Sequence, residues 1–367
     1  MSFVWCISCG ESSVEEPATP SSTEATETET STTTGSEAVL YPNIDHLRLR
    51  TEPTTTSEVV ASLRLGDAVY PTGTLSSFTS EITLRGIRFT EPWVQVKTVD
   101  GEEGWVFGGA LNFPEGPLSA VAQQLMEYRI QGFFGADLAP AIMAYRADYA
   151  AARSDREVAK IYLRGQGLRD SLLGLIERKI PVQDYESLPD LFWLEQALPG
   201  FVPTLVAEGT QYYLFNDYRT WLPKSKSSIG KYDDAFMELA VQVYDLDSVE
   251  HFFPSWFRQT WDYGGHSNLG YGVHLKILRE LDSVMKKGPQ LAEPIAKWKK
   301  DLLEDITNTE NTYWFGQEAI EQELDQIIAS DLGILSQNDR VALEVRRKQF
   351  ADPEKFEISV DQRSGHN

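Results

Sequence analysis

Residues 93–111 read WVQVKTVDGEEGWVFGGAL, and this stretch decides how the first folded part of the chain is built. Apolar and polar residues alternate on both sides of Asp100-Gly101, which is the period of a half-buried β-strand. An Asp-Gly pair between two such runs is one of the strongest signals for a tight hairpin turn. The stretch therefore predicts two antiparallel strands joined by a short turn.

The sequence upstream extends this pattern. Residues 47–69 read LRLRTEPTTTSEVVASLRLGDAV, in which Leu47–Arg50 and Val59–Leu63 have strand composition and Pro53 separates them. Several short strands at this spacing indicate a small closed sheet. We therefore predict a small all-β barrel over residues 38–113.

These two stretches together resemble the bacterial SH3-like domain. That family opens with a leucine-x-valine-arginine strand and a Pro-Ser/Thr loop, and it closes on W-x-x-V, a turn and G-W-V. Leu49 replaces the usual valine, Ala110 stands where an aromatic residue is common, and residues 71–91 form a longer connection than usual. The resemblance implies a targeting or peptide-binding module of the cell envelope, with wall peptides among its ligands.

Trp93 and Trp105 have two interpretations in such a module. Exposed indole rings would form a platform for a ligand. Aromatic residues at strand positions mostly pack inside a sheet, however, and this favours a place in the barrel core for both.

Composition narrows the classes of partner. The chain has 367 residues, of which 41% are hydrophobic and 24% charged, as in an ordinary globular protein. Its formal net charge of −22 argues against nucleic acid, because phosphate binding requires clustered lysine and arginine. The same charge argues against unassisted adsorption on an anionic membrane.

After Pro114-Glu115-Gly116-Pro117 the hydrophobic period changes from two residues to 3.6, which indicates helices. We expect about eight to eleven of them in a larger all-α domain over residues 118–360, followed by a polar tail at 361–367. Ser154 to Glu157 has the pattern of a capping box, and a final helix is expected to stop near Asp352-Pro353. The fold class is thus multidomain, with a small all-β SH3-like barrel before an all-α domain. The helical part resembles no family that we recognise.

A search for catalytic signatures favours a protein that is not an enzyme, without excluding one. The chain has no phosphate-binding P-loop, no nucleophile elbow and no zinc-protease helix. Its two cysteines are Cys6 and Cys9, so cysteine chemistry is excluded from the folded part. The five histidines lack the spacing of a zinc site, and pairs of acidic residues are expected by chance among 55. We predict no metal and no cofactor.

One segment, Phe252–His274 (FFPSWFRQTWDYGGHSNLGYGVH), concentrates aromatic residues, glycines and histidines. Aromatic rings stack on sugars, and glycines allow close approach of the backbone to a ligand. Three interpretations stay open: a loop between helices whose aromatic residues complete the core, a binding cleft, or a catalytic site. The candidate ligand-binding residues are Trp256, Arg258, Trp261, Tyr263, His266, Tyr271 and His274.

The N-terminus raises a separate choice, because Trp5–Cys9 reads WCISC. A thioredoxin-type redox site needs a folded sheet around its first cysteine, and only five residues precede Cys6. Residues 10–37 are rich in serine, threonine and glutamate and contain no lysine or arginine, a composition that cannot form a core. Besides the redox site, WCISC has two other interpretations, and one of them is a pair of incidental cysteines at an unstructured end.

Ile7 to Gly10 instead resembles the lipobox of bacterial lipoproteins, in which the signal is cleaved before a cysteine that becomes lipid-modified. The resemblance implies a truncated signal over residues 1–9, lipidation of Cys9 and a disordered tether over 10–37. Cys6 stands where leucine is usual, and the positively charged start of a signal peptide is missing. Stable membrane attachment would come from the lipid anchor alone.

The hypothesis that unites these observations is a non-enzymatic lipoprotein of the Gram-negative cell envelope, anchored to the outer membrane and facing the periplasm or the surface. Its expected partners are wall peptide or glycan, or an envelope protein, and not nucleic acid. The alternative is an enzyme acting on glycan or peptidoglycan with a site near Trp261–His274.

Overall fold

A computed structural model of the chain describes residues 39–180, 182, 188–206, 210–245, 251–260 and 264–365. The predicted lipidation site Cys9 and the predicted tether 10–37 lie outside the described residues, and so do Trp261 and Tyr263 of the candidate ligand-binding set. For these positions the sequence-based predictions stand as predictions.

The N-terminal part of the described chain is built from β-strands. Five of them form an antiparallel sheet in the order β3-β2-β6-β5-β4, and β1 pairs with β7 beside it. The strands are β1 (Tyr41–Pro42), β2 (Leu47–Arg50), β3 (Val59–Leu63), β4 (Val69–Leu84), β5 (Ile87–Thr98), β6 (Glu103–Phe107) and β7 (Leu111–Asn112). The sheet ends at β3 and β4, which do not pair with each other, so closure into a barrel stays a prediction.

The predicted hairpin around Asp100-Gly101 is present as β5 and β6, with Trp93 opposite Phe107. The connection 71–91 is also a hairpin, in which β4 and β5 run together to a two-residue turn at Arg85-Gly86. Both turn residues have positive φ, 46° and 80°, as a type I′ turn requires. A long connection in the sequence is therefore an extension of the sheet.

The rest of the described chain is mostly helical, as predicted, and contains nine α-helices. They are α1 (Ala120–Ala151), α2 (Asp155–Lys179), α3 (Phe192–Ala197), α4 (Tyr218–Lys226), α5 (Tyr232–Val243), α6 (Val273–Lys287), α7 (Ala292–Thr307), α8 (Gln317–Ala329) and α9 (Gln337–Phe350). Two short hairpins that the hydrophobic period did not predict interrupt them. These are β8 (Phe201–Val206) with β9 (Gln211–Asn216), and β10 (Phe257–Gln259) with β11 (Gly265–Ser267).

Helix α1 consists of two halves that fold back on each other at Gly135. Gly135 has φ 80° and ψ 171°, which breaks the helical backbone. Gln123 and Ala150 line one groove, although a straight helix would separate them by about 40 Å. The two halves therefore lie side by side.

Local capping signals fix where helices begin. The predicted capping box at α2 is formed: the Ser154 side chain accepts from the Glu157 amide, and the Glu157 side chain accepts from the Ser154 amide. Ser336 and Asp339 make the same reciprocal pair at the start of α9. Helix α9 ends at Phe350, close to the predicted stop.

The strand part and the helical part belong to one compact unit that extends from Ala38 onward. A buried ion pair joins them: Arg129 of α1 donates from Nε to Glu91 Oε1 at 2.7 Å and from Nη2 to Glu91 Oε2 at 3.1 Å. Nη2 also donates to the carbonyl oxygen of Gly108 at 2.8 Å. The two charged side chains are almost fully excluded from solvent.

Aromatic rings complete the surroundings of Arg129. Its guanidinium carbon lies 5.5 Å from the ring centroid of Phe89, 4.8 Å from that of Phe113 and 5.8 Å from that of Trp193. Cation–π attraction compensates in part for Nη1, which has no hydrogen-bond acceptor among the described residues. The contact between the strand part and the helical part therefore combines an ion pair, hydrogen bonds and aromatic packing, with side chains from the strands, α1 and α3.

Replacing Arg129 by methionine is expected to lower the free energy of unfolding by about 3–5 kcal/mol, because Glu91 would be left as an unpaired buried charge. The double variant Glu91→Met/Arg129→Met is expected to recover most of that loss. Urea unfolding followed by tryptophan fluorescence measures both.

Arg164→Met is the matched control, since Arg164 pairs with Asp148 at an exposed position and its loss should cost about 0–1 kcal/mol. Equal destabilisation by Arg129→Met and Arg164→Met would contradict the assigned role of the buried pair.

Candidate functional site

The described residues of the segment 252–274 include two paired strands and the first turn of a helix. It contains β10, β11 and the start of α6, whose N-cap is Gly272 with a positive φ of 86°. Trp256 is buried, with 3% of its surface exposed, and belongs to the hydrophobic core. Its indole is therefore part of the packing and does not face solvent.

Arg258 and His266 lie opposite each other on β10 and β11, on one face of the hairpin. Both contact Trp314, with the guanidinium carbon of Arg258 4.8 Å and the His266 ring 5.6 Å from the indole centroid. The His266 Nδ1 also lies 2.6 Å from Thr312 Oγ1. The three side chains form a partly exposed cationic and aromatic cluster.

Tyr271 is 73% exposed and stacks on Phe315, with ring centroids 5.4 Å apart. Arg363 lies against the same Phe315 ring, at 4.8 Å from its centroid. Trp314 and Phe315 were missed from the sequence because no local pattern connects them with residues 258–271. The β-bridge between Ser267 and Tyr313 brings the two segments together.

His274 is fully buried and hydrogen-bonded to a carboxylate. Its Nε2 lies 2.8 Å from Asp305 Oδ2, and the hydroxyl of Ser267 donates to the same oxygen atom. The carboxylate thus lies between serine and histidine, so the imidazole has no direct path to the serine proton. This order of contacts suits structural support of the hairpin and not activation of a nucleophile.

A carboxylate that the sequence search missed holds the glycine-rich end of the segment. Glu323 of α8 is 4% exposed and accepts from the amides of Gly270 at 2.7 Å, Gly272 at 2.8 Å and Leu275 at 3.0 Å. The first amides of a helix have no partner within the helix, and a negative charge at this end is favourable. Glu323 is therefore a distant cap of α6 that replaces a side-chain cap from Gly272.

The described candidate residues do not converge on one pocket. Trp256 and His274 lie inside the protein, while Arg258, His266 and Tyr271 lie at its surface in two aromatic clusters. Within the described residues no group of three or more histidine, cysteine or acidic side chains has the arrangement of a metal site. No described helix combines the length and apolar content needed to cross a membrane.

A second candidate surface lies on the five-stranded sheet. Val59, Arg50, Trp105, Gln95 and Thr72 follow one another across β3, β2, β6, β5 and β4, and we name them the Trp105 row. Cross-strand pairing connects the first four, and the Thr72 hydroxyl lies 3.1 Å from Gln95 Oε1. Directly opposite residues in a sheet point to the same face, so this row forms a continuous strip.

The two tryptophans of the sheet differ in exposure. Trp93 is 2% exposed, contacts Phe107 edge to face, and donates from its indole to Ser80 Oγ at 2.8 Å. Trp105 is only partly buried at the centre of the row. Trp93 thus lies in the core, as favoured from the sequence, whereas Trp105 keeps a surface that a ligand can reach.

Arg50 adds a charge to the row. Its Nη1 donates to the carbonyl oxygen of Ser57 at 2.6 Å, and no carboxylate of the described residues lies within ion-pair distance of it. A guanidinium group binds a carboxylate with two parallel hydrogen bonds when one is supplied. The Trp105 row therefore offers an aromatic surface, an amide and a hydroxyl, next to the guanidinium group of Arg50, a residue that is 7% exposed and has no acidic partner among the described residues.

Comparison with known proteins identifies one part of the chain. Residues 45–112 match the sequence model of a family described as the bacterial SH3 domain, which confirms the resemblance seen in the sequence. This match covers less than a fifth of the chain and includes four members of the Trp105 row on β2, β3, β5 and β6 as well as Thr72 on β4. No curated protein and no solved structure matches the chain.

Glu323→Gln is expected to lower the free energy of unfolding by about 1–3 kcal/mol, because an amide nitrogen would replace one of the two accepting oxygen atoms. Chemical denaturation followed by far-UV circular dichroism measures the effect. Glu318→Gln is the control on the same helix, at an exposed position where a change within about 0.5 kcal/mol is expected. Similar effects of the two substitutions would contradict the capping role of Glu323.

Proposed function

We propose that this chain is a non-enzymatic binding protein of the bacterial cell envelope, and that it binds wall peptide or glycan at the Trp105 row. The observation that carries the proposal is the partly exposed Trp105 beside Arg50, inside the region that matches the bacterial SH3 domain. The helical region holds this module in place and adds further surface for envelope partners.

The chemistry of the Trp105 row suits such a ligand. An indole face stacks on a sugar ring or packs against an apolar peptide side chain. Gln95 and Thr72 provide donors and acceptors for amide and hydroxyl groups next to it. Arg50, although only 7% exposed, adds a positive charge next to Trp105 that favours the carboxylate groups of wall peptides.

The close packing of the strands that carry the Trp105 row also favours binding. Gly104 lies in β6 next to Trp105, and a Cβ there would lie 2.6 Å from the carbonyl oxygen of Arg50. The strands that carry Trp105 and Arg50 are therefore in close contact. A rigid sheet loses little conformational entropy when it binds a ligand, which increases affinity.

We further propose the location that the lipobox resemblance implies. Cys9 would carry the lipid and hold the protein at the outer membrane, and residues 10–37 would tether the folded part with a root-mean-square span of roughly 30 Å. This distance would place the SH3-like module, closed into a small barrel, within reach of the wall. The proposed domain limits remain 38–113 for the module and 118–360 for the helical domain.

Trp105→Ala is expected to reduce co-sedimentation of the protein with purified peptidoglycan by about tenfold. Stacking of a ligand ring on an aromatic side chain contributes roughly 1–3 kcal/mol, and this contribution would be lost. Gln95→Glu is expected to weaken binding as well, since it places a negative charge beside a site proposed for carboxylates. The bound fraction is measured by quantitative gel densitometry at increasing peptidoglycan concentration.

Phe78→Ala is the matched control, because Phe78 is an exposed aromatic residue of the same module (51%) outside the row. Its binding should equal that of the unmodified protein. Unchanged co-sedimentation of Trp105→Ala and Gln95→Glu, with both variants folded by circular dichroism, would remove the row as the binding site. Failure of the unmodified protein to bind either peptidoglycan or envelope polysaccharide would refute wall binding itself.

The anchor is tested by intact mass spectrometry of the protein produced in a Gram-negative host with its native upstream region. The expected mature chain begins at Cys9 and carries the added mass of two or three acyl chains. Retention of residues 1–8 with an unmodified Cys9 would contradict lipidation and leave the Trp105 row untouched.

A further inference from the structure

A groove of about 450 Å³ lies between the two halves of α1 and the residues around α3. Gln123 and Glu127 line it from the first half, Met143 and Arg146 from the second, and Gln196 from α3. The fold-back at Gly135 creates the groove, because it places the two halves side by side. This volume lies within the range of small-ligand sites, about 300–1,000 Å³.

Arg146 is the cation of this groove. Its Nε donates to the carbonyl oxygen of Gln196 at 2.9 Å, which fixes the side chain. Among the described residues it has no acidic partner within ion-pair distance. Burial lowers the pKa of Arg146, and the negative charge of Glu127 opposes this shift.

Gln196 is held in place on the α3 side of the groove. Its Nε2 donates to the carbonyl oxygen of Pro114 at 2.9 Å, so the orientation of the amide is set. Its Oε1 is buried and has no hydrogen-bond donor. This oxygen atom has almost no accessible surface, so the accessible polar groups of the groove are those of Arg146 and Glu127.

Glu127 places a negative charge in the same groove. It is exposed, and no hydrogen bond or ion pair holds it within the described part of the chain. Glu127 and Arg146 thus present opposite charges to one space without forming an ion pair with each other. Such an arrangement is complementary to a ligand that carries both charges.

We propose that this groove binds a short peptide with both ends free. Its carboxylate pairs with Arg146, and its ammonium group pairs with Glu127. Met143 contacts a small side chain. The site is separate from the Trp105 row and does not depend on the function proposed for that row.

Isothermal titration calorimetry with the dipeptide alanyl-alanine tests the assignment. The unmodified full chain is expected to bind it. Arg146→Gln and Glu127→Gln are each expected to weaken binding about tenfold or more, because each removes a charged hydrogen bond. Alanyl-alanine amide and N-acetyl-alanyl-alanine, which lack one charge each, are expected to bind the unmodified protein about tenfold more weakly.

Arg156→Gln and Glu115→Gln are the matched controls, since both residues are exposed and neither lines the groove. Should Arg146→Gln fail to fold, Glu127→Gln and the two blocked dipeptides still test the site, because Glu127 is exposed and forms no hydrogen bond or ion pair within the described residues. Absence of alanyl-alanine binding to the unmodified protein, or equal binding of the free and blocked dipeptides, would overturn the proposal. Binding lost with Trp105→Ala but kept in Arg146→Gln would place the dipeptide on the sheet and overturn it as well.

Discussion

The arrangement of the two parts of this protein depends on the ion pair between Glu91 and Arg129. Both charges are removed from water, and loss of either side chain would leave the other as an unpaired buried charge. The pair also constrains its neighbours. Gly108 must keep its carbonyl oxygen at Arg129, and a Cβ on Gly108 would lie 2.7 Å from the carbonyl oxygen of Pro92. Strand β5, the turn after β6 and helix α1 are thereby held in one relative position.

This constraint connects the region that matches the bacterial SH3 domain to the helical part of the protein. The sheet alone would leave the charge of Glu91 and the rings of Phe89 and Phe113 without their partners on α1 and α3. Burial of these groups contributes to stability only when both parts fold together. The Trp105 row includes Gln95 on β5, the strand that also carries Glu91, so the proposed binding surface is connected directly to this ion pair.

Features governed by neighbouring residues could be predicted from the sequence. The hairpin at Asp100-Gly101, the capping box at Ser154 and the end of α9 each follow from a few adjacent residues, and the structure confirms all three. The segment 252–274 shows the limit of this reasoning. Composition identified the aromatic residues and histidines but not which of them are buried. Burial depends on contacts with residues far away in the sequence. Glu323 and the Trp314 cluster therefore had no signal in the segment itself.

Each of the two proposed sites contains an arginine without an ion-pair partner among the described residues, in a chain with 55 acidic and 33 basic residues. Several arginines of this protein pair with a carboxylate, as Arg164, Arg219 and Arg347 do. Arg50 and Arg146 are instead each oriented by a single backbone carbonyl oxygen. Arg146 is partly exposed and keeps guanidinium donors for a further acceptor, and the largely buried Arg50 contributes its charge, in a protein whose overall charge repels anions. Recognition of a carboxylate at either site must therefore come from short-range hydrogen bonding, because long-range attraction is absent.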